Sequence, residues 1–174
     1  VSHVDTHKHT HVFPSVYRPL LRAAREAGVR AVRNPFAPVR PLAFAHLARR
    51  PRLWTRYSEF RLLRHYSEAF LRQVQELDMV TSEGTFGAVV TGMLDPALFQ
   101  AILGSMPEGP WELVCHPGYN DDELGGVRTR LRESREVERR MLASPETKRL
   151  LAEFGVELIS YHDLANPRAA AGGN

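Results

Sequence analysis

Residues 2–36 read SHVDTHKHTHVFPSVYRPLLRAAREAGVRAVRNPF, and the order of patterns in this stretch sets the fold class. Ser2 to Thr6 has the short apolar-polar alternation of a strand. Val16, Tyr17, Leu20, Leu21, Ala24 and Ala27 then recur at helical spacing, with Ser15 as a cap, Pro19 near the first turn and Gly28 as the stop. Val29 to Arg33 is a second strand, broken by Asn34-Pro-Phe36. Strand, helix and strand joined by short links form a βαβ unit, which calls for parallel strands and a right-handed crossover.

The same rhythm returns downstream. Met79 to Ser82 reads as a strand, Glu83 to Leu94 as a glycine-containing loop or short helix, and Asp95-Pro96 opens a helix reaching Met106. Trp111 to Cys115 is a buried strand that ends at His116-Pro-Gly118. Ser144-Pro145 begins a helix that Gly155 stops, and Val156 to Tyr161 forms the last strand. Between the two series, Pro38, Pro41 and Pro51 punctuate the chain, and Phe60, Leu63, Tyr66, Ala69, Phe70, Val74 and Leu77 mark one long amphipathic helix. The expected organisation is a βαβ unit over 1–36, an inserted helical lobe over 37–78, further βα units over 79–164 and a flexible tail over 165–174.

Composition narrows the class. The 174 residues, 43% hydrophobic and 25% charged, suit one globular domain. No apolar run approaches the ~18 residues of a spanning helix, so no membrane span is expected. The lone Cys115 forms no internal disulfide, which suits a reducing, cytoplasmic setting. The net charge of +3 comes from arginines scattered among acids, as at Arg128 to Arg140, where Glu133, Glu136 and Glu138 stand at helical pairing distance. No nucleic-acid motif accompanies them, and no nucleic-acid partner is expected.

Function is written most densely between His3 and His11. His3, Asp5, His7, His9 and His11 alternate, so in a fully extended chain they would share one face. Imidazoles beside a carboxylate suit a metal site or a proton-transfer rim, although a polar surface strand has the same pattern. In βα folds functional groups gather at the carboxyl ends of strands. His7 follows the first strand, Arg33 ends the second and His116 follows the Trp111–Cys115 strand, which brings these groups to one rim. They suggest metal-assisted hydrolysis, with a histidine protonating the leaving group.

The run HVDTHKHTHVFP from His3, VRNP at Val32 to Pro35 and ELVCHPG at Glu112 to Gly118 together resemble the YdjC-like carbohydrate deacetylases, which include chitooligosaccharide deacetylases. The continuation YNDDELGGVRTRLRESREVE from Tyr119 is similar to the hopanoid-biosynthesis-associated branch of that family. The resemblance implies an α/β fold, part of a distorted βα-barrel, and removal of an N-acetyl group from an acetylated amino sugar or glycolipid headgroup with a divalent metal, zinc or magnesium. By the same resemblance His7 is a metal ligand, His116 the general acid, and Arg33 the residue that steadies a catalytic carboxylate. Asp5, His9, His11, Tyr119, Asn120 and Asp121 are candidates for the rim or for substrate contact.

The family also carries an early strand leading to Asp-Asp-Phe-Gly and a later Gly-x-His segment, and this chain contains neither. The expectation is therefore a C-terminal part of a longer enzyme, inactive by itself, holding metal weakly through His7, His9 and His11. Its uncovered barrel edge is expected to drive homo-oligomer formation. A noncatalytic sugar- or lipid-binding module and a metal-dependent phosphoesterase are the competing readings.

Overall fold

The computed structural model describes residues 1–38 and 51–166. Pro41, His46 and the tail from 167 lie outside the described residues. The chain is mixed α/β with a two-stranded parallel sheet, β1 (Gly84–Phe86) and β2 (Trp111–Leu113), in the register Gly84 to Trp111, Thr85 to Glu112 and Phe86 to Leu113. Single parallel bridges, Val4 to Val32 and Ala31 to Val80, bring the earlier segments alongside one another. Val4 N–H donates to Ala31 at 3.1 Å, and Val32 N–H donates to Val80 at 3.0 Å. The expected parallel order is present, but the regular strands are shorter than the apolar runs.

Side chains explain the shortening. Asn34 is 2% exposed and its amide donates to the carbonyls of Ser82 and Glu83, while Thr85 Oγ1 donates back to Asn34. Thr81 Oγ1 donates to the Val32 carbonyl. These bonds satisfy buried backbone groups that a longer ladder would otherwise pair. β1 falls inside the stretch expected as loop or helix. Gly87, directly after it, has φ 98°, and a Cβ there would collide with the Val114 carbonyl, so only glycine lets the two segments approach.

The helices follow the patterning with changed ends. α1 (Pro14–Glu26) begins at Pro14 rather than after Ser15, and the Phe13 carbonyl accepts from Val16 and Tyr17. Pro19 sits inside it, donating no bond there. The single long helix expected over the lobe is two helices: α2 (Pro51–Leu63) and α3 (Ser67–Glu76), joined by a 3₁₀ turn at Arg64–Tyr66. α4 (Pro96–Ser105) is capped by Asp95, whose carboxylate accepts from Leu98 N–H at 2.9 Å. The short α5 (Asp122–Gly125) is followed by α6 (Glu133–Leu142), α7 (Pro145–Glu153) and α8 (Tyr161–Ala165). Val156 to Tyr161, expected as the last strand, forms no β-bridge among the described residues; Ser160 caps α8, which Tyr161 begins.

Two apolar clusters hold these elements. Tyr17, Leu21 and Ala24 of α1 meet Val32, Phe36, Phe70 and Val74, which fixes the first βαβ unit against α3. Leu98, Phe99, Ile102 and Leu103 of α4 meet Leu53, Phe86, Val89 and Met141. Each fully buried large apolar side chain contributes about 1.5–3 kcal/mol. The segment ends carrying polar groups therefore stand on a fixed base.

Candidate functional site

Arg33 is the centre of the polar cluster. Its Nε donates to Glu112 Oε1 at 2.8 Å and Oε2 at 2.9 Å, its Nη2 pairs with Glu112 Oε1, and its Nη1 pairs with Asp5 Oδ2. One guanidinium thus ties the Val4 segment, its own segment and β2 together through two carboxylates. Glu112 is held from the other side by Tyr161, whose hydroxyl donates to Oε2 at 2.6 Å. His3 stacks on the Tyr161 ring, with centroids 4.0 Å apart and planes inclined by 15°.

Ionisation follows from these contacts. Burial by itself would raise Asp5, but His9, the Thr6 N–H and Arg33 outweigh it and hold the carboxyl below its usual range. Burial would likewise lower Arg33, yet Glu112 and Asp5 push its pKa up. Tyr161 is pushed up by burial and by the Glu112 carboxylate, so its hydroxyl stays a donor. Burial lowers His3, which favours its neutral form.

His7, His9 and His11 do not share a face. Residues His7–Val12 form a 3₁₀ segment in which Lys8 and His9 are both left-handed, at φ 54° and 55°. That reversal ends the period-two alternation, leaving His7 exposed and turning His11 fully inward. His11 Nε2 lies 3.0 Å from the Arg33 carbonyl, which can only accept, so Nε2 carries the proton. Its Nδ1 accepts from Thr6 Oγ1 at 2.7 Å, while Thr6 Oγ1 accepts from the His11 N–H at 2.9 Å. Burial lowers the His11 pKa, in keeping with a neutral ring used for structure. His9 Nδ1 is buried 3.8 Å from Asp5 Oδ1 and makes no hydrogen bond among the described residues.

His116 occupies a separate position. Its backbone N–H donates to the carboxylate of Glu138, which is 1% exposed, and its Nδ1 is buried with no partner among the described residues. Tyr119 is 66% exposed beneath Arg139, whose guanidinium lies 4.3 Å from the ring centre. Asp121 accepts from Leu124 N–H at 3.1 Å, capping α5, and Asn120 is exposed beside it. Cys115 packs against the α4 core, and burial with Glu138 and Glu112 raises its thiol pKa.

The donor set does not fit a metal without additional ligands. Among the described residues no three His, Cys, Asp or Glu side chains converge as a metal would require. His11 has both nitrogens engaged, and His7 stands alone at the surface. What the arrangement does provide is a carboxylate held below its usual pKa and a guanidinium fixed between two acids. Glu112 and Tyr161 were not singled out from sequence. A carboxylate inside the apolar Trp111–Cys115 run was the available signal, because such a group demands a cation.

The chain is similar to known proteins. A crystal structure from Enterococcus faecalis V583, described as a candidate cellobiose-phosphate cleavage protein, superposes with a TM-score of 0.67 at 20% identity. The match covers 94% of this chain and 52% of that one, so the likeness is one of fold over about half of the larger molecule. A carbohydrate deacetylase from Thermoanaerobacter pseudethanolicus is 36% identical over 61 residues, which span 35% of this chain and 24% of that enzyme. The profile described as YdjC-like protein matches residues 1–153, and the chain accordingly belongs to the YdjC-like family.

Proposed function

We propose that this chain supplies part of the catalytic rim of a carbohydrate N-deacetylase, a hydrolase that splits the amide of an acetylated amino sugar or glycolipid headgroup. The observation that carries the reading is Arg33 clamped between Asp5 and Glu112, in a YdjC-like chain partly similar to a carbohydrate deacetylase. Amide hydrolysis needs a proton delivered to the leaving nitrogen and a held carboxylate in the reacting layer. His116, with a buried and unpartnered Nδ1, is assigned the proton. Arg33 is the positioning residue that aims Asp5, which His9, the Thr6 N–H and Arg33 together hold ionised.

Divalent metal, zinc or magnesium, would supply the electrophile in this family reading, and His7 is assigned one ligand place in a set completed by other residues. The described residues gather no three-donor site, so the 174-residue chain by itself is expected to release no acetate. The test is acetate release from N-acetylglucosamine oligomers and an N-acetylglucosaminyl lipid by the gene's full product with added metal. His116→Ala and Arg33→Ala are each expected to lower the rate by roughly 100-fold or more. Unchanged rates in both variants overturn the assignment of roles. Sugar binding without any acetate points to a noncatalytic module, and release of phosphate in place of acetate points to a phosphoesterase; either result overturns the reading.

A further inference from the structure

A cavity of about 490 Å³ opens between the backbone at Ala37 and Pro38 and the junction of α2 with its following 3₁₀ turn. That volume is in the range of small-molecule sites. Tyr57, Phe60 and Leu62 give it an apolar side, and Arg61, Arg64 and His65 give it a basic one. No acidic side chain is among its lining residues. The Arg64 Nη1 donates to the Ala37 carbonyl at 2.6 Å, which fixes that guanidinium while its other N–H groups keep no partner among the described residues. Arg61 has no acidic partner among them either. The His65 ring rests edge-on against Tyr66, with centroids 5.5 Å apart, so the imidazole is also held.

Scattered exposed arginines are ordinary on a protein surface. Two guanidiniums and an imidazole in one concavity, with one guanidinium pinned by a main-chain carbonyl and none neutralised, make a different arrangement. Guanidinium forks match tetrahedral oxyanions, and a dianion answers two neighbouring guanidiniums better than a single carboxylate does. The aromatic and leucine side accommodates carbon attached to that oxyanion. We infer that this cavity binds an organic phosphate, with the phosphate against Arg61, Arg64 and His65 and the carbon portion against Tyr57, Phe60 and Leu62. The inference is independent of the deacetylase reading, since none of these residues belongs to the Arg33 cluster.

Nuclear magnetic resonance titration of the full chain tests it, with inorganic phosphate, glucose 6-phosphate and glucose as probes, and with phosphatidylcholine vesicles with and without phosphatidic acid. Saturable shifts of the amides of residues 57–65 are expected with glucose 6-phosphate, weaker ones with inorganic phosphate and none with glucose. The same shifts appearing only with phosphatidic acid vesicles support the site and assign the phosphate to a lipid headgroup. Arg61→Ser, on the exposed helix surface, is expected to weaken binding by roughly tenfold or more. Arg72→Ser, an exposed arginine on α3 outside the cavity, is expected to leave it unchanged. No saturable shift with any phosphate overturns the inference, as does equal weakening by both substitutions, which would mark unspecific attraction to a basic surface. Thermal unfolding of each variant separates a lost site from a lost fold.

Discussion

Burial lowers the His11 pKa and favours its neutral ring, outweighing the Arg33 carbonyl and Asp5, both of which pull the other way. An imidazole whose folded pKa lies below its unfolded value adds stability that is complete above about 6.5 and declines as pH falls below that, since the unfolded chain then binds more protons. His3 contributes in the same direction. Asp5 acts in a lower window: with its folded pKa depressed, its contribution is present above about 4 and is lost as pH falls through the folded value. The urea midpoint is therefore expected to fall from pH 7 to 5 and again below 4, and His11→Gln to flatten the first stage. Nitrogen shifts of the ring should report the Nε2–H tautomer; an Nδ1–H form would contradict the Arg33 contact. Arg33→Ala strands two carboxylates whose side chains are 27% and 18% exposed, so the cost is below that of a fully buried pair, about 2 kcal/mol in urea unfolding. Arg33→Lys should recover less than half, because an ammonium cannot fork to both acids. Asp5 and Arg33 were legible as strand-end residues. The different fates of His7 and His11 were not, because spacing assumes one backbone conformation and the chain reverses between them.

That reversal is a property of the 3₁₀ element, which places two consecutive non-glycine residues in the left-handed region at about 1–2 kcal/mol each. Thr6 holds it closed: its carbonyl accepts from His9 N–H at 3.0 Å, and its hydroxyl bonds the His11 ring Nδ1 and the His11 main-chain N–H. Lys8 is exposed, so Lys8→Gly relieves strain without losing packing and is expected to stabilise the chain by about 0.5–1 kcal/mol. A loss of stability on thermal unfolding would mean that the segment is not left-handed in solution. Gly87→Ala should act oppositely, costing about 3 kcal/mol or more, because φ 98° and the Val114 carbonyl both oppose a Cβ. Helices were legible to within a turn at α1, α4 and α7, where proline or an Asp or Ser cap coincided with periodicity. Parallel pairing was legible near Val4, Ala31, Val80 and Trp111, in shorter form than expected, but β1 lies where a loop or helix was expected and Val156 to Tyr161 forms no strand. Asn34, Thr81 and Thr85 replace ladder bonds with side-chain bonds, and no hydrophobic period records that exchange.

At the scale of the molecule, the least satisfied region is the stretch after α7. Val156-Glu-Leu-Ile-Ser160 has the composition of a strand, yet Leu158 is 78% exposed, Ile159 49% and the neighbouring Phe154 38%. The His3–Tyr161 stack sets this stretch beside the first segment, where Val4 bonds towards Ala31 and Arg33 while His3 and Asp5 make no main-chain bond among the described residues. An unpaired edge next to exposed aliphatic side chains is a template for another chain. The match covers 52% of the Enterococcus faecalis chain. Among the described residues no helix is long and apolar enough to cross a membrane. Self-association of the 174-residue chain is the expected outcome, visible as a mass that rises with concentration in sedimentation or light scattering. Leu158→Glu combined with Ile159→Lys places charge on that edge and should return the chain to a monomer with little change in thermal stability, since both side chains face solvent in the folded chain. A wild-type mass that stays monomeric at high concentration, or an oligomer that the double substitution leaves intact, would show that copies do not meet through residues 156–160.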